Sequence, residues 1–282
     1  MEKRPEPSLL SVTQLLLARY GLKPRRRLGQ SFMIDAGLLD RMVAYAEVTG
    51  RDAVLEVGAG LGSLTRRLAD KAGKVIAVEL EPRLVEALNA RLAGCTNVSV
   101  IQGDFRKAFI PSFNKVVSNP PYVFSSDLVL GLLSRRFDRA ILTFQDEFAE
   151  KLLASPGTRQ YGRLTVLSRV RWRVEPLEHV SRNAFYPVPR VDSILVRISR
   201  SEKPLEAPDD RLFLDLVTFL FSQRRRMVRK ALASYIARQP EASGIMERLS
   251  GLPHMSSRVY ELPVEEFVVL AKLLHDARHE KI

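Results

Sequence analysis

A single cysteine, Cys95, stands among 282 residues, which excludes an internal disulfide framework and a cysteine-based zinc site. The four histidines, His179, His254, His275 and His279, show neither metal-ligand spacing nor a carboxylate partner in motif. No metal is expected. No apolar run approaches the roughly 20 residues of a membrane span. The N-terminal stretch MEKRPEPSLLSVTQLLLARYGLKPRRRLGQ has no small-residue cleavage site after its leucines. A cytoplasmic monomer without membrane attachment is the expectation. Gly-x-Ser-x-Gly is absent, and no Gly-Lys-Ser/Thr follows the glycine-rich loop at 58–62. A nucleophile elbow and a phosphate-cradling P-loop are thereby excluded.

Acidic residues are also in deficit, 32 against 44 Lys and Arg, for a formal charge of +12. Such an excess opposes compaction, and its usual partner is nucleic acid. The cations cluster in three runs, KPRRR at 23–27, RVRWR at 169–173 and SQRRRMVRK at 222–230. One run alone is a solvated face. Three, each beside an expected helix, suggest a divided phosphate-binding surface. Its candidate contacts are Arg25, Arg26, Arg27, Arg224, Arg225, Arg226, Arg229 and Lys230. Arg outnumbers Lys and amide side chains are few, a composition found in hot-growing organisms.

Between about residues 53 and 200, short apolar runs alternate with amphipathic ones. Expected strands are Ala53–Val57, Lys74–Glu79, Asn97–Ile101, Lys115–Ser118, Arg139–Phe144, Val174–His179 and Ser193–Ser199. Helical stretches such as Leu64–Lys71, Pro82–Leu92 and Asp127–Ser134 fall between the early ones. This order predicts an α/β, Rossmann-like parallel sheet covered on both faces, with an antiparallel hairpin at one edge. After the polar link SRSEKPLEAPDD, apolar residues recur at helical spacing. Two domains are expected, 1–204 carrying the sheet and a small all-helical one at 205–282.

Ligands of open α/β sheets bind outside the carboxyl ends of the strands, so each strand end is a test. The first ends in EVGAGLGSLT, where Gly58, Gly60 and Gly62 permit a sharp turn and close approach to a ligand. Ser63 stands where a dinucleotide fold wants its third glycine or alanine. The second ends at Glu79, placed to accept ribose hydroxyls, and the third at Asp104, placed to accept from a base amino group. The fourth ends in SNPPY, where two prolines stop the strand between an amide and an aromatic ring. Singly, Glu79 is also explained as a solvated strand end and Asp104 as a turn residue. Their order along one edge describes a nucleoside-containing cofactor beside a polar and aromatic slot.

LGQSFMID, EVGAGLGSLT, AVELE, QGDF, SNPPY, FQDEFAEKL, YGRLTVLSR, FYPVPRVDS and SQRRRMVRKAL occur in that order. In this the chain resembles the ribosomal RNA adenine dimethyltransferases, and the double proline resembles the archaeal and eukaryotic branch. The resemblance implies a methyltransferase sheet using S-adenosyl-L-methionine as methyl donor. It implies two adjacent adenosines near the 3′ end of small-subunit rRNA as target, a pre-ribosomal small subunit as partner, and rRNA binding by the helical domain. Matching motifs put Gln30, Ser31, Met33, Gly58, Gly60, Glu79, Asp104 and Asn119 on the donor. Ser31 stands where the family usually has asparagine.

In that setting Asn119 and the Pro120 carbonyl accept from the adenine amino group, and Tyr122 stacks on the flipped base. Phe185 is the candidate for the base's opposite face, with a core aromatic as its alternative reading. Gln145 and Glu147 fit a family motif but equally a helix-capping role. Three rivals remain: an NAD oxidoreductase, a large-subunit rRNA methyltransferase of the resistance type, and a non-enzymatic assembly factor.

Overall fold

The alternation of strands and helices is realised in the computed structural model, which describes residues 7–25, 29–238 and 245–279. The elements in chain order are α1 (Leu9–Arg19), β1 (Phe32–Met33), α2 (Ala36–Tyr45), β2 (Ala53–Val57), α3 (Ser63–Ala69), β3 (Lys74–Glu79), α4 (Pro82–Leu92) and β4 (Val98–Gln102). There follow β5 (Lys115–Ser118), α5 (Ser125–Leu133), β6 (Arg139–Gln145), α6 (Asp146–Leu153), α7 (Arg163–Arg169), β7 (Trp172–Val180), β8 (Phe185–Tyr186) and β9 (Ser193–Arg200). The remaining helices are α8 (Asp210–Ser222), α9 (Val228–Ile236), α10 (Ile245–Ser250) and α11 (Val264–His279).

β2, β3 and β5 are short runs buried at nearly every position, as a sheet covered on both faces requires. The sheet order is β4-β3-β2-β5-β6-β9-β7. β2 to β6 pair in parallel, and β9 runs antiparallel to β6 with Gln145 opposite Ser193. The chain moves outward from β2 to β4, then returns to lay β5 on the other side of β2. That reversal opens a crevice at the carboxyl ends of β2 and β5. At the opposite, amino end, Asp52 accepts from Asn114 (2.7 Å) and Thr49 N–H (2.7 Å) and pairs with Lys115. Burial opposes its charge, yet these bonds hold its pKa at about 2, so this carboxylate is a structural staple.

Helix α2 starts where Asp35 caps the Leu38 N–H, and α4 starts with Pro82 in its first turn. Leu38, Leu39 and Met42 of α2 pack with Leu64 and Leu68 of α3, against Val54 and Val75 of the sheet. Each such side chain contributes about 2 kcal/mol by burial. A second, two-stranded sheet pairs β1 with β8, Phe32 opposite Tyr186 and Met33 opposite Phe185.

The chain divides into two compact units that are not contiguous in sequence. One holds the residues to Ala149 with Glu175–Ser199, and the other holds Glu150–Val174 with the residues from Arg200 on. The expected boundary at 204/205 lies close to Arg200, where the second unit resumes, and 150–174 belongs to that unit as well. In that second unit Tyr161 is fully buried and donates to the Leu262 carbonyl at 2.8 Å. Phe221 stacks on Phe267 at 5.5 Å. The helical reading of 213–221, 226–237 and 264–275 is realised in α8, α9 and α11. No helix among the described residues is long and apolar enough to cross a membrane.

Candidate active site

Two glycines bring the strand ends together. Gly58 has φ +78°, and a Cβ there would lie 2.6 Å from the Pro121 ring. Gly29 has φ +64°, and its Cβ would lie 3.1 Å from the Tyr122 amide nitrogen. Only glycine allows both the backbone turn and these approaches. The loop after β2, the segment before β1 and the prolines after β5 thus share one wall.

The cleft they bound has about 830 Å3 of free space, its open mouth included. Of the residues expected on a cofactor, Gln30, Ser31, Met33, Gly58, Gly60, Glu79 and Asn119 line it. Glu79 Oε2 accepts the Gly60 N–H at 2.8 Å, and Oε1 accepts those of Leu80 and Glu81 at 2.9 and 3.0 Å. Burial raises its pKa while these N–H groups draw it back. With about four lone-pair sites on a carboxylate, the remaining capacity lies at Oε2. Glu56 also lines the cleft; it is 2% exposed, and its Oε2 has no partner among the described residues. Burial, aided by the Glu79 charge, pushes it up to about 8. Glu81 completes three acidic side chains, and no Lys or Arg among the described residues lines the cleft. Arg25 balances Glu81 and Glu56 keeps its proton below about 8, so the wall offers a pyrophosphate no cation, whereas a positively charged ligand favours ionised Glu56.

At the β5 end, Asn119 Nδ2 donates to the Ser31 carbonyl at 3.3 Å, while its Oδ1 is buried without a partner among the described residues. A buried acceptor left open is costly in the free protein. The Pro120 carbonyl likewise accepts from no described residue, although Pro120 is itself buried. Tyr122 bonds Ser193 Oγ at 2.8 Å, and burial lifts its pKa to about 12. It is therefore a neutral ring of fixed orientation and no base at physiological pH. Phe185 takes the second of its two readings: it is fully buried, packing with Met33, Leu195 and Val180. It meets Tyr122 edge-on at 6.3 Å, so it braces that ring in this structure and offers no second face to a base.

Asp104 does not line the cleft. Arg106 grips both its oxygens, at 2.9 Å and 2.5 Å, and holds its carboxyl below the usual range. Arg106 also reaches Asp127 (2.8 Å) and lies over the Phe124 ring, which does line the cleft. Ser31 Oγ, the expected donor contact, is engaged with the Pro187 carbonyl at 2.6 Å. His179 acquires the carboxylate partners that spacing denied it: Nε2 lies 3.8 Å from Asp146 and 3.6 Å from Asp192. Neighbouring strand ends bring the exposed imidazole and the two half-buried carboxylates together, which linear spacing does not reveal.

The basic residues separate by role. Arg26 and Arg27 lie outside the described residues, and Arg25 pairs with Glu81 at 2.8 Å. Arg225, Arg226, Arg229 and Lys230 are exposed, though Arg226 bonds Gln223 and Ser234. Arg224 instead donates to the carbonyls of Arg159 (3.0 Å) and Thr158 (3.3 Å) and covers the Tyr260 ring. Arg224→Ala should destabilise by about 1–2 kcal/mol, lowering Tm by roughly 2–6 °C in a thermal melt. A Tm unchanged within 1 °C or so would show that these bonds hold nothing.

Glu56, Phe32 and Phe124 line the cleft, although no sequence motif gave them a role. Glu56 carried a usable signal, an acid inside the apolar run AVLEV directly before the glycine loop. The aromatics carried none, since their places depend on the β1–β8 ladder and on the turn after Pro121.

A family model described as ribosomal RNA adenine dimethylase matches residues 21–276. The chain is 40% identical over 267 residues to a probable ribosomal RNA small subunit methyltransferase A of Methanosarcina mazei, covering 93% of this chain and 97% of that one. The solved dimethyladenosine transferase from Plasmodium falciparum matches with TM-score 0.75 and 27% identity, over 89% of this chain and 98% of that one. The 23S rRNA methyltransferase ErmE matches with TM-score 0.63 and 30% identity, over 86% and 99%.

Proposed function

The chain belongs to the ribosomal RNA adenine dimethylase family, and we propose that its target is a pair of adjacent adenosines near the 3′ end of small-subunit rRNA. It is an S-adenosylmethionine-dependent rRNA adenine N6-dimethyltransferase. The observation that carries the site assignment is the open acceptor of Asn119, buried at the β5 end of the crevice and lining the same cleft as Glu56 and Glu79.

The cleft fits the methyl donor, whose sulfonium supplies an electrophilic methyl group. Glu79 Oε2 has capacity for a ribose hydroxyl, and the unpartnered oxygen of Glu56 suits a ligand of positive charge. An NAD oxidoreductase is disfavoured, because no Lys or Arg among the described residues lines the cleft to receive a pyrophosphate. Asp104 reaches an adenine amino group only if Arg106 releases it. At the acceptor, Asn119 Oδ1 and the Pro120 carbonyl take the two amino N–H groups, so the nitrogen lone pair turns from the ring toward the donor. Pro121 has no N–H with which to compete. Tyr122 holds the flipped base; comparable stacking contributes about 1–3 kcal/mol. Orientation and exclusion of water do most of the work, and the chain needs no strong base.

The exposed Arg225, Arg229 and Lys230, with the basic run near Arg25, bind rRNA phosphates, and the protein acts in the cytoplasm where small subunits assemble. Replacing those three residues with alanine should weaken RNA binding and reduce the slope of log affinity against log salt by roughly 2–3. Donor binding should be unaffected; an unchanged slope in salt-titrated RNA binding would remove them from the interface. The target itself is tested by mapping methylated positions after incubation with ribosomal RNA. Label at paired 3′ adenosines of the small-subunit RNA supports the proposal. Label confined to large-subunit RNA, the substrate named for ErmE, replaces it.

A further inference from the structure

A second hollow adjoins the donor cleft and shares Gly29, Gln30 and Ser31 with it. Its other walls are Tyr122, Val123, Gln145 and the segment 187–190. Their chemistry is unusual for open surface. Val123 and Val188 are 53% and 52% exposed, and two prolines flank Val188. Apolar groups held bare beside a functional cleft mark a contact surface. The wall is also braced from behind, since Ser31 Oγ holds the Pro187 carbonyl and the β1–β8 ladder anchors the segment's start. At its rim Arg190 is exposed, and its guanidinium bonds no described residue. The other polar side chains of the hollow are uncharged: Gln30 Oε1 accepts the Arg25 N–H, Ser31 and Tyr122 have their hydroxyls engaged, and Gln145 completes the set.

We infer that this hollow seats the nucleotide next to the target adenosine, its base against Val123 and Val188 and its phosphate at Arg190. The inference rests on the proposed reading of the crevice as an RNA adenine site. Apolar and aromatic walls with one cation are what a nucleobase and its phosphate require, and continuity with the Asn119–Tyr122 slot places that nucleotide next in the strand. A dimethylated adenine has lost both amino N–H donors and gained apolar surface. Walls that bind by apolar contact accept the neighbour in either state, so the first modification does not expel the strand before the second.

The experiment uses the full chain, S-adenosylmethionine and a 3′-terminal small-subunit rRNA fragment with two adjacent adenosines. Val188→Asp and, separately, Val123→Asp place a carboxylate against the neighbouring base; Arg190→Gln removes the phosphate contact. Thermal stabilisation by the donor reports that each variant is folded. The expected results are an increase in KM for RNA of at least about 10-fold in each Asp variant, with singly modified RNA accumulating, and a smaller salt dependence in Arg190→Gln. If the wild type methylates both adenosines and all three variants match it, the hollow holds no nucleotide and the inference fails alone. If the wild type methylates no rRNA adenosine, the proposed function fails and takes the inference with it.

Discussion

Asn119→Ala should reduce single-turnover methyl transfer to RNA by about 10²–10³-fold, the usual effect of removing one preorganised polar contact at a reacting centre. Folding should be little affected. Among the described residues the side chain makes one long bond, 3.3 Å to the Ser31 carbonyl, and its Oδ1 is a buried acceptor with no partner. Truncation removes an unsatisfied group along with a weak interaction, so Tm should fall by no more than about 2–4 °C, or roughly 1 kcal/mol. Donor affinity should change only modestly, because Glu56 and Glu79 remain on the cleft wall. RNA binding should persist, since the exposed cations lie elsewhere in the chain. Loss of turnover with RNA binding retained separates an enzyme from an assembly factor that merely holds RNA. Transfer at the wild-type rate in Asn119→Ala would refute the role given to the Oδ1 acceptor.

The sheet was legible because its strands are short, apolar and bounded by turn residues. Ala53–Val57, Lys74–Glu79 and Lys115–Ser118 match the observed strands residue for residue, and Asn97–Ile101 shifts by one to Val98–Gln102. That is also why the cleft was legible. Strand ends follow from strand assignments, and Gly58, Glu79 and Asn119 are strand-end residues. What escaped depends on contacts distant in sequence. The two-residue strands β1 and β8 are too short for any period, yet their pairing buries Phe185 and carries the 187–190 wall to Ser31. Arg106 captures Asp104 through a turn whose side-chain direction no pattern encodes. The segment 150–174 belongs with the residues after 200 because Tyr161, Arg169 and Thr165 find their partners within that second unit.

Glu56→Gln should stabilise the donor-free protein progressively as pH rises, while weakening its hold on the donor. In the folded chain the Glu56 pKa is about 8 against an ordinary value of 4.5, chiefly because burial disfavours the charge and secondarily because Glu79 stands nearby. The sign follows from proton counting. Below 4.5 both folded and unfolded chains keep the proton, and the group makes no difference. Between 4.5 and 8 the unfolded chain releases it and the folded chain does not. Stability is therefore lost as pH rises, and the loss levels off above the folded pKa. Glutamine has nothing to release, so the Tm difference between variant and wild type should be near zero at pH 4.5 and grow to several degrees by pH 8. That corresponds to an effect on the order of a few kcal/mol. A positively charged donor reverses the preference, because it favours ionised Glu56. Wild-type donor affinity should then strengthen with pH up to about 8 as the proton leaves, while the variant's should be weaker and nearly flat across that range. Thermal melts and donor titrations at matched pH values test both halves. A Tm difference that stays constant from pH 5 to 8 means the Glu56 carboxyl ionises normally, and the cleft then lacks the acid poised for a cationic ligand.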